Sequence, residues 1–108
     1  MQVAELFQSL PDRLDASAAA GMNKTLQWNI TGDEAGVWAI QIDNGVGHLI
    51  PGGVEKPDVT FTISGKDWLS IAEGKLDGMR AFMSGKLKVN GDMKIGMQMS
   101  QLFPVQNA

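Results

Sequence analysis

Between residues 74 and 92 the chain reads Gly-Lys-Leu-Asp-Gly-Met-Arg-Ala-Phe-Met-Ser-Gly-Lys-Leu-Lys-Val-Asn-Gly-Asp, and its glycines divide it into a short helix, a short strand and the start of another helix. Leu76, Met79, Phe82 and Met83 recur at the spacing of one helical face. Gly85 stands where a left-handed C-cap is wanted. Leu87 and Val89 then alternate with Lys86, Lys88 and Asn90, as a half-exposed strand over residues 86–90 does. Gly91 ends that strand, and Asp92 is placed to cap the next helix with its carboxylate.

The rest of the chain supplies a sheet for these pieces. Val3, Leu6, Phe7, Leu10 and Leu14 share one face of an amphipathic helix, which Pro11 is expected to kink or restart, with a second segment running to Ala20 and closed by Gly21. Leu26, Trp28 and Ile30 alternate with polar residues, and Trp38, Ile40 and Ile42 answer them after a Gly-Asp-Glu-Ala-Gly turn. Asp43-Asn44-Gly45 is a type I′ turn signal, so a third strand follows from Val46 to Ile50. Val59, Phe61 and Ile63 form one face of a fourth. Ser64 then opens a helix in which Trp68, Leu69, Ile71 and Ala72 are the buried side. Two helices between the fourth and fifth strands make a crossover long enough for those strands to be parallel neighbours. The expected fold is α/β (α+β): a five-stranded, mixed, mostly antiparallel sheet with helices on one face.

Residues 93–103 fit two periods. Met93, Ile95, Met97 and Met99 alternate like a strand, but methionine and glutamine favour helix, β-branched residues are nearly absent, and Asp92 provides a cap. The helix that results is apolar over most of its circumference, so it must be buried on two sides, contact a ligand, or face a membrane or a partner.

Inventory excludes much chemistry. The chain has one histidine, His48, no cysteine and no tyrosine, which leaves no His-based metal cluster, no thiolate nucleophile and no recognisable triad. No cofactor is expected. The net charge of −3 argues against nucleic acid as a partner. Charge is unevenly spread: residues 1–74 hold four basic and ten acidic side chains, whereas residues 75–94 hold Lys75, Arg80, Lys86, Lys88 and Lys94 against Asp77 and Asp92. Those cations read either as solvated faces or as a basic rim for an anionic head group or membrane surface. At 108 residues the chain is expected to be one domain over its whole length. No stretch approaches the roughly 18 apolar residues of a membrane span. Met1-Gln2-Val3-Ala4-Glu5 has no signal-peptide character, and Gln106-Asn107-Ala108 is no peroxisomal address. The expectation is a free-standing cytoplasmic domain of bacterial type.

Gly74-Lys75-Leu76, the run Ala81-Phe82-Met83-Ser84-Gly85-Lys86-Leu87-Lys88-Val89 and Gly91-Asp92-Met93 together resemble the signature of the sterol carrier protein type 2 family. Pro57-Asp58-Val59-Thr60-Phe61-Thr62-Ile63 is similar to that family's strand before its paired helices. The resemblance implies a lipid-binding or lipid-transfer domain without catalysis, with an apolar cavity or tunnel between sheet and helices. It implies a lining from Trp68, Ile71, Met79, Phe82 and Met83 on the paired helices, Leu87 and Val89 on the last strand, and Met93, Met97 and Leu102 on a covering helix. It also implies an apolar ligand: a fatty acid, a fatty acyl-CoA or other acyl thioester, a sterol or an isoprenoid. Five of the seven methionines fall between residues 79 and 99, and their unbranched, polarizable side chains suit either a core filler or an adaptable cavity. Residues 93–103 would then act as a lid, with Gly91 and Gly96 easing its motion. Two alternatives remain: a module presenting a lipid or quinone to partner enzymes, and a solid-cored domain that homodimerises through its lid. A monomer or weak homodimer is expected.

Overall fold

The computed structural model describes residues 2–104, so the C-terminal tripeptide lies outside the described residues. Helix α1 (Val3–Arg13) is followed by strands β1 (Asn23–Thr31), β2 (Gly36–Asp43), β3 (Val46–Pro51) and β4 (Val59–Ser64). Helices α2 (Gly65–Ala72) and α3 (Gly78–Met83), strand β5 (Lys88–Gly91) and helix α4 (Met93–Leu102) complete the described chain. The sheet order is β3-β2-β1-β4-β5. Register places Leu26 between Ile40 and Val59, and Trp28 between Trp38 and Phe61. The apolar positions of the central strands thus share the face on which α1, α2 and α4 pack.

The local signals that shape these elements are specific. Asn44 and Gly45, at φ 46° and 88°, make the tight β2–β3 turn. Ser64 caps α2 by accepting from the Asp67 N–H at 3.1 Å, and Asp92 caps α4 by accepting from the Lys94 N–H at 3.0 Å. The β1–β2 turn reaches back to α1, where the Glu34 carboxylate accepts from the Val3 N–H at 3.0 Å. That bond satisfies one of the free donors at the helix start.

Three expectations are corrected. Helix α1 continues through Pro11 to Arg13, because Pro11 falls in its last turns and the burial of Leu6, Phe7 and Leu10 outweighs one missing hydrogen bond. No second helical segment follows: Asp15 instead accepts from the N–H groups of Ser17 and Ala18, which folds residues 16–21 as turns. Strands β4 and β5 are antiparallel, because the chain redirected between α2 and α3 enters β5 beside Thr62 and leaves beside Val59. The parallel pair is β1–β4. It is reached by residues 52–58, which cross the back of the sheet, where the Val54 N–H donates to Gln27 Oε1 at 2.7 Å. Gly53 makes that crossing possible, since at φ 83° an added Cβ would stand 2.6 Å from both Gln27 Oε1 and Val37 Cγ1.

Candidate functional site

Apolar space remains where the helices leave the sheet, in two adjoining lobes. The larger, about 280 Å³, is bounded by Leu10 and Arg13 of α1, Trp68, Ile71 and Ala72 of α2, the turn at Leu76, and Met99 and Phe103 at the end of α4. The smaller, about 120 Å³, lies between Met79 and Phe82 of α3, Leu87 and Val89 of β5, and Met93, Gly96 and Met97 of α4. Asp77, Gly78, Met99 and Ser100 border both and stand between them. The larger volume sits just under the range of about 300–1,000 Å³ usual for small-molecule sites.

Each wall follows from local sequence. The start of α3 is fixed by Asp77, whose carboxylate accepts from the Arg80 N–H at 3.2 Å. Its small Ala81 is fully buried, while Met79 and Phe82 stay 47 % and 40 % exposed. Of the residues grouped by helical spacing, Leu76 packs against the core just before α3, whereas Met79, Phe82 and Met83 on α3 turn toward the cleft and the solvent. Helix α4 rests on β4 and β5, burying Ile95, Met99 and Leu102. Gly96 permits this contact, since a Cβ there would come within 2.8 Å of Val89 Cγ1. Gly91, at φ 104°, likewise lies against the Asp58 carbonyl. Both glycines are points of close approach, Gly96 between α4 and β5 and Gly91 between β5 and the start of β4.

Of the residues expected to line a cavity, Trp68 and Ile71 border the larger lobe, and Met79, Phe82, Leu87, Val89, Met93 and Met97 border the smaller. Met83 borders neither and is 79 % exposed; Leu102 borders neither and is fully buried in the core. Leu10, Arg13, Leu76, Met99 and Phe103 are the further large side chains of the larger lobe's lining, outside the expected set. Leu10 and Arg13 come from the far end of the chain and no local pattern announces them. Met99 and Phe103 were legible only as one face of α4.

Polar chemistry in the cleft is sparse. Arg13 is the only cationic residue in either lining, and it makes no ion pair among the described residues. Trp68 packs against Phe7 and Trp28, at centroid distances of 6.1 and 5.6 Å, beside the larger lobe. Its buried indole Nε1 has no acceptor within the described structure, which is also true of Trp28. No group of three or more His, Cys, Asp or Glu side chains that could hold a metal occurs among the described residues.

Apolar lobes under helices on a mixed sheet, with one cation and no array of reactive side chains, define a ligand-holding domain. The model of the SCP-2 sterol transfer family matches residues 3–104, and the chain belongs to that family of lipid-binding domains. It is 30 % identical over 105 residues to hydroxysteroid dehydrogenase-like protein 2 of Xenopus tropicalis, covering 96 % of this chain and 25 % of that protein. The solution structure of the sterol carrier protein domain 2 of Helicoverpa armigera matches with a TM-score of 0.75 at 30 % identity, over 93 % of this chain and 84 % of that one. A sec-alkylsulfatase from Pseudomonas sp. matches with a TM-score of 0.76 at 31 % identity, over 95 % of this chain but 16 % of its own. The chain spans about a quarter or less of the length of the relatives first matched by sequence. The same kind of domain thus occurs within multidomain enzymes.

Proposed function

We propose that this domain binds, without catalysis, a single flexible lipid chain, a fatty acid or fatty acyl thioester, lying through both lobes with its oxygen-bearing end toward Arg13. The observation that carries this reading is the division of the cleft. Asp77, Gly78, Met99 and Ser100 border both lobes, and among them Met99 is the long unbranched side chain whose rotation would join the two, so that one bending chain could occupy both. A fused-ring lipid cannot bend around that point, and neither lobe alone is large, which favours acyl chains over sterols.

The energetics are sufficient. Burying about 14 CH₂ groups at about 0.8 kcal/mol each gives about 11 kcal/mol gross, less several kcal/mol for association and ordering. Binding in the micromolar range or tighter follows with broad selectivity, and Arg13 adds a charge-assisted contact for a carboxylate.

The test is native mass spectrometry of the purified protein with organic extraction of whatever adds mass, followed by titration with palmitate and with cholesterol. Bound acyl species, palmitate uptake and little cholesterol uptake are expected. Arg13→Gln should weaken palmitate by about tenfold while leaving the methyl ester unchanged. Absence of uptake of either lipid would replace this reading with a solid-cored interaction module.

A further inference from the structure

Among the described residues seven large apolar side chains are exposed, and five of them, Met79, Phe82, Met83, Met93 and Met97, are on α3 and α4, where all but Met83 border the smaller lobe. Met83 is the most exposed of all and takes no part in the cleft. Around these side chains the charge reverses sign relative to the rest of the chain. Residues 75–94 carry five cations and two aspartates, whereas residues 1–74 carry four cations against ten carboxylates. Both aspartates are committed to capping helices, Asp77 at α3 and Asp92 at α4. Lys75 pairs with Glu73 at 3.1 Å, but Arg80, Lys86, Lys88 and Lys94 are exposed and form no ion pair among the described residues.

We propose that the α3–α4 corner docks on a bilayer with anionic headgroups, its methionines and Phe82 entering the boundary between headgroups and acyl chains while Arg80, Lys86 and Lys94 meet the phosphates. Apolar side chains bordered by cations are the combination that binds such an interface. The other amphipathic helix cannot serve. The apolar side of α1 (Val3, Leu6, Phe7 and Leu10) is buried in the core, and its outward side presents Glu5, Gln8 and Asp12. A second copy is a poorer occupant, because a two-fold contact through this face sets the same cations against each other. Lys88 contributes only to the general field, since its register partner is Thr62 and it points to the back of the sheet, whereas Val89 pairs with Phe61 on the helix side. Docking in this way turns the smaller lobe, which opens among Met79, Phe82, Met93 and Met97, toward the bilayer. This last consequence rests on the ligand proposed above; the docking itself does not.

Flotation with vesicles of phosphatidylcholine, with and without phosphatidylglycerol, tests the proposal on the whole chain. Binding is expected only with phosphatidylglycerol present, and release is expected at about 1 M salt, where charges are screened within about 3 Å. Replacing Arg80, Lys86 and Lys94 together by glutamine should weaken binding by about fivefold per charge, or about 10²-fold. Met83→Gln should weaken it by about tenfold while leaving palmitate uptake in solution unchanged. Equal binding to neutral vesicles, or none to anionic ones, overturns the proposal. A concentration-dependent dimer abolished by Met83→Gln would likewise overturn it and assign the face to a second copy. Vesicle binding without palmitate uptake would instead uphold the docking surface and refute the ligand.

Discussion

At the centre of the sheet Trp28 is fully buried and ringed by Phe7, Phe61, Trp68 and Phe103, at centroid distances of 5.6, 5.2, 5.6 and 6.2 Å. At the β5 edge, α3 buries only Ala81, and Met79, Phe82 and Met83 of α3 with Met93 and Met97 of α4 stand exposed. Both regions are rich in large apolar residues. For α3 the difference lies in its length, whereas α4, at 10 residues, buries Ile95, Met99 and Leu102 on one side and leaves Met93 and Met97 exposed on the other. A helix of 11 residues can seat four large side chains on strands, whereas one of 6 residues meets its neighbours through a single small one. Stability is therefore concentrated at one end and adaptable surface at the other, the distribution expected where binding regions come from the less stable part of a domain.

The largest break in this comparison should come from the aromatic centre. Phe7→Ala is expected to cost about 3–5 kcal/mol, read as a lowered urea midpoint at unchanged slope. A smaller loss, about 1–3 kcal/mol, should follow Gly91→Val, which adds both steric conflict with the Asp58 carbonyl and a β-branched residue at positive φ. Asp92→Ala removes the cap of α4 and should cost about 1 kcal/mol. Amide exchange should then quicken in residues 93–102 and hardly at all in β1 and β2. At the bottom of the scale, Met83→Gln should change stability by less than about 0.5 kcal/mol in thermal unfolding. A loss at Met83 approaching that at Phe7 would mean that the corner is a core region and that the contrast is mistaken.

Much of the rigid region was legible because its signals are local. The alternation of Leu26, Trp28 and Ile30, the Asn44-Gly45 turn and the caps at Ser64 and Asp92 each depend on residues within a turn or two of one another. The direction of β5 was not legible, since it depends on how the chain turns between α2 and α3, which no hydrophobic period records. The cleft was legible in part. Periodicity grouped Met79 with Phe82 and Leu87 with Val89, and all four border the smaller lobe, yet it could not say that the α3 face turns outward, nor bring Leu10 and Arg13 across the whole chain to Phe103. Pro11 was misjudged for a related reason: propensity weighs one residue, and the burial of its helix weighs four.

Asp58 ties three strands together. Its carboxylate accepts from the Thr25 N–H at 2.8 Å, its own N–H donates to the Thr25 carbonyl at 2.9 Å, and its carbonyl accepts from the Asp92 N–H at 2.8 Å. This links one wall of the cleft to the middle of the sheet. Thr25 holds Asp58 through two hydrogen bonds, and Asp58 in turn holds the residue that caps α4, so a change at Thr25 that moved Asp58 would be felt at the start of the covering helix, two strands away.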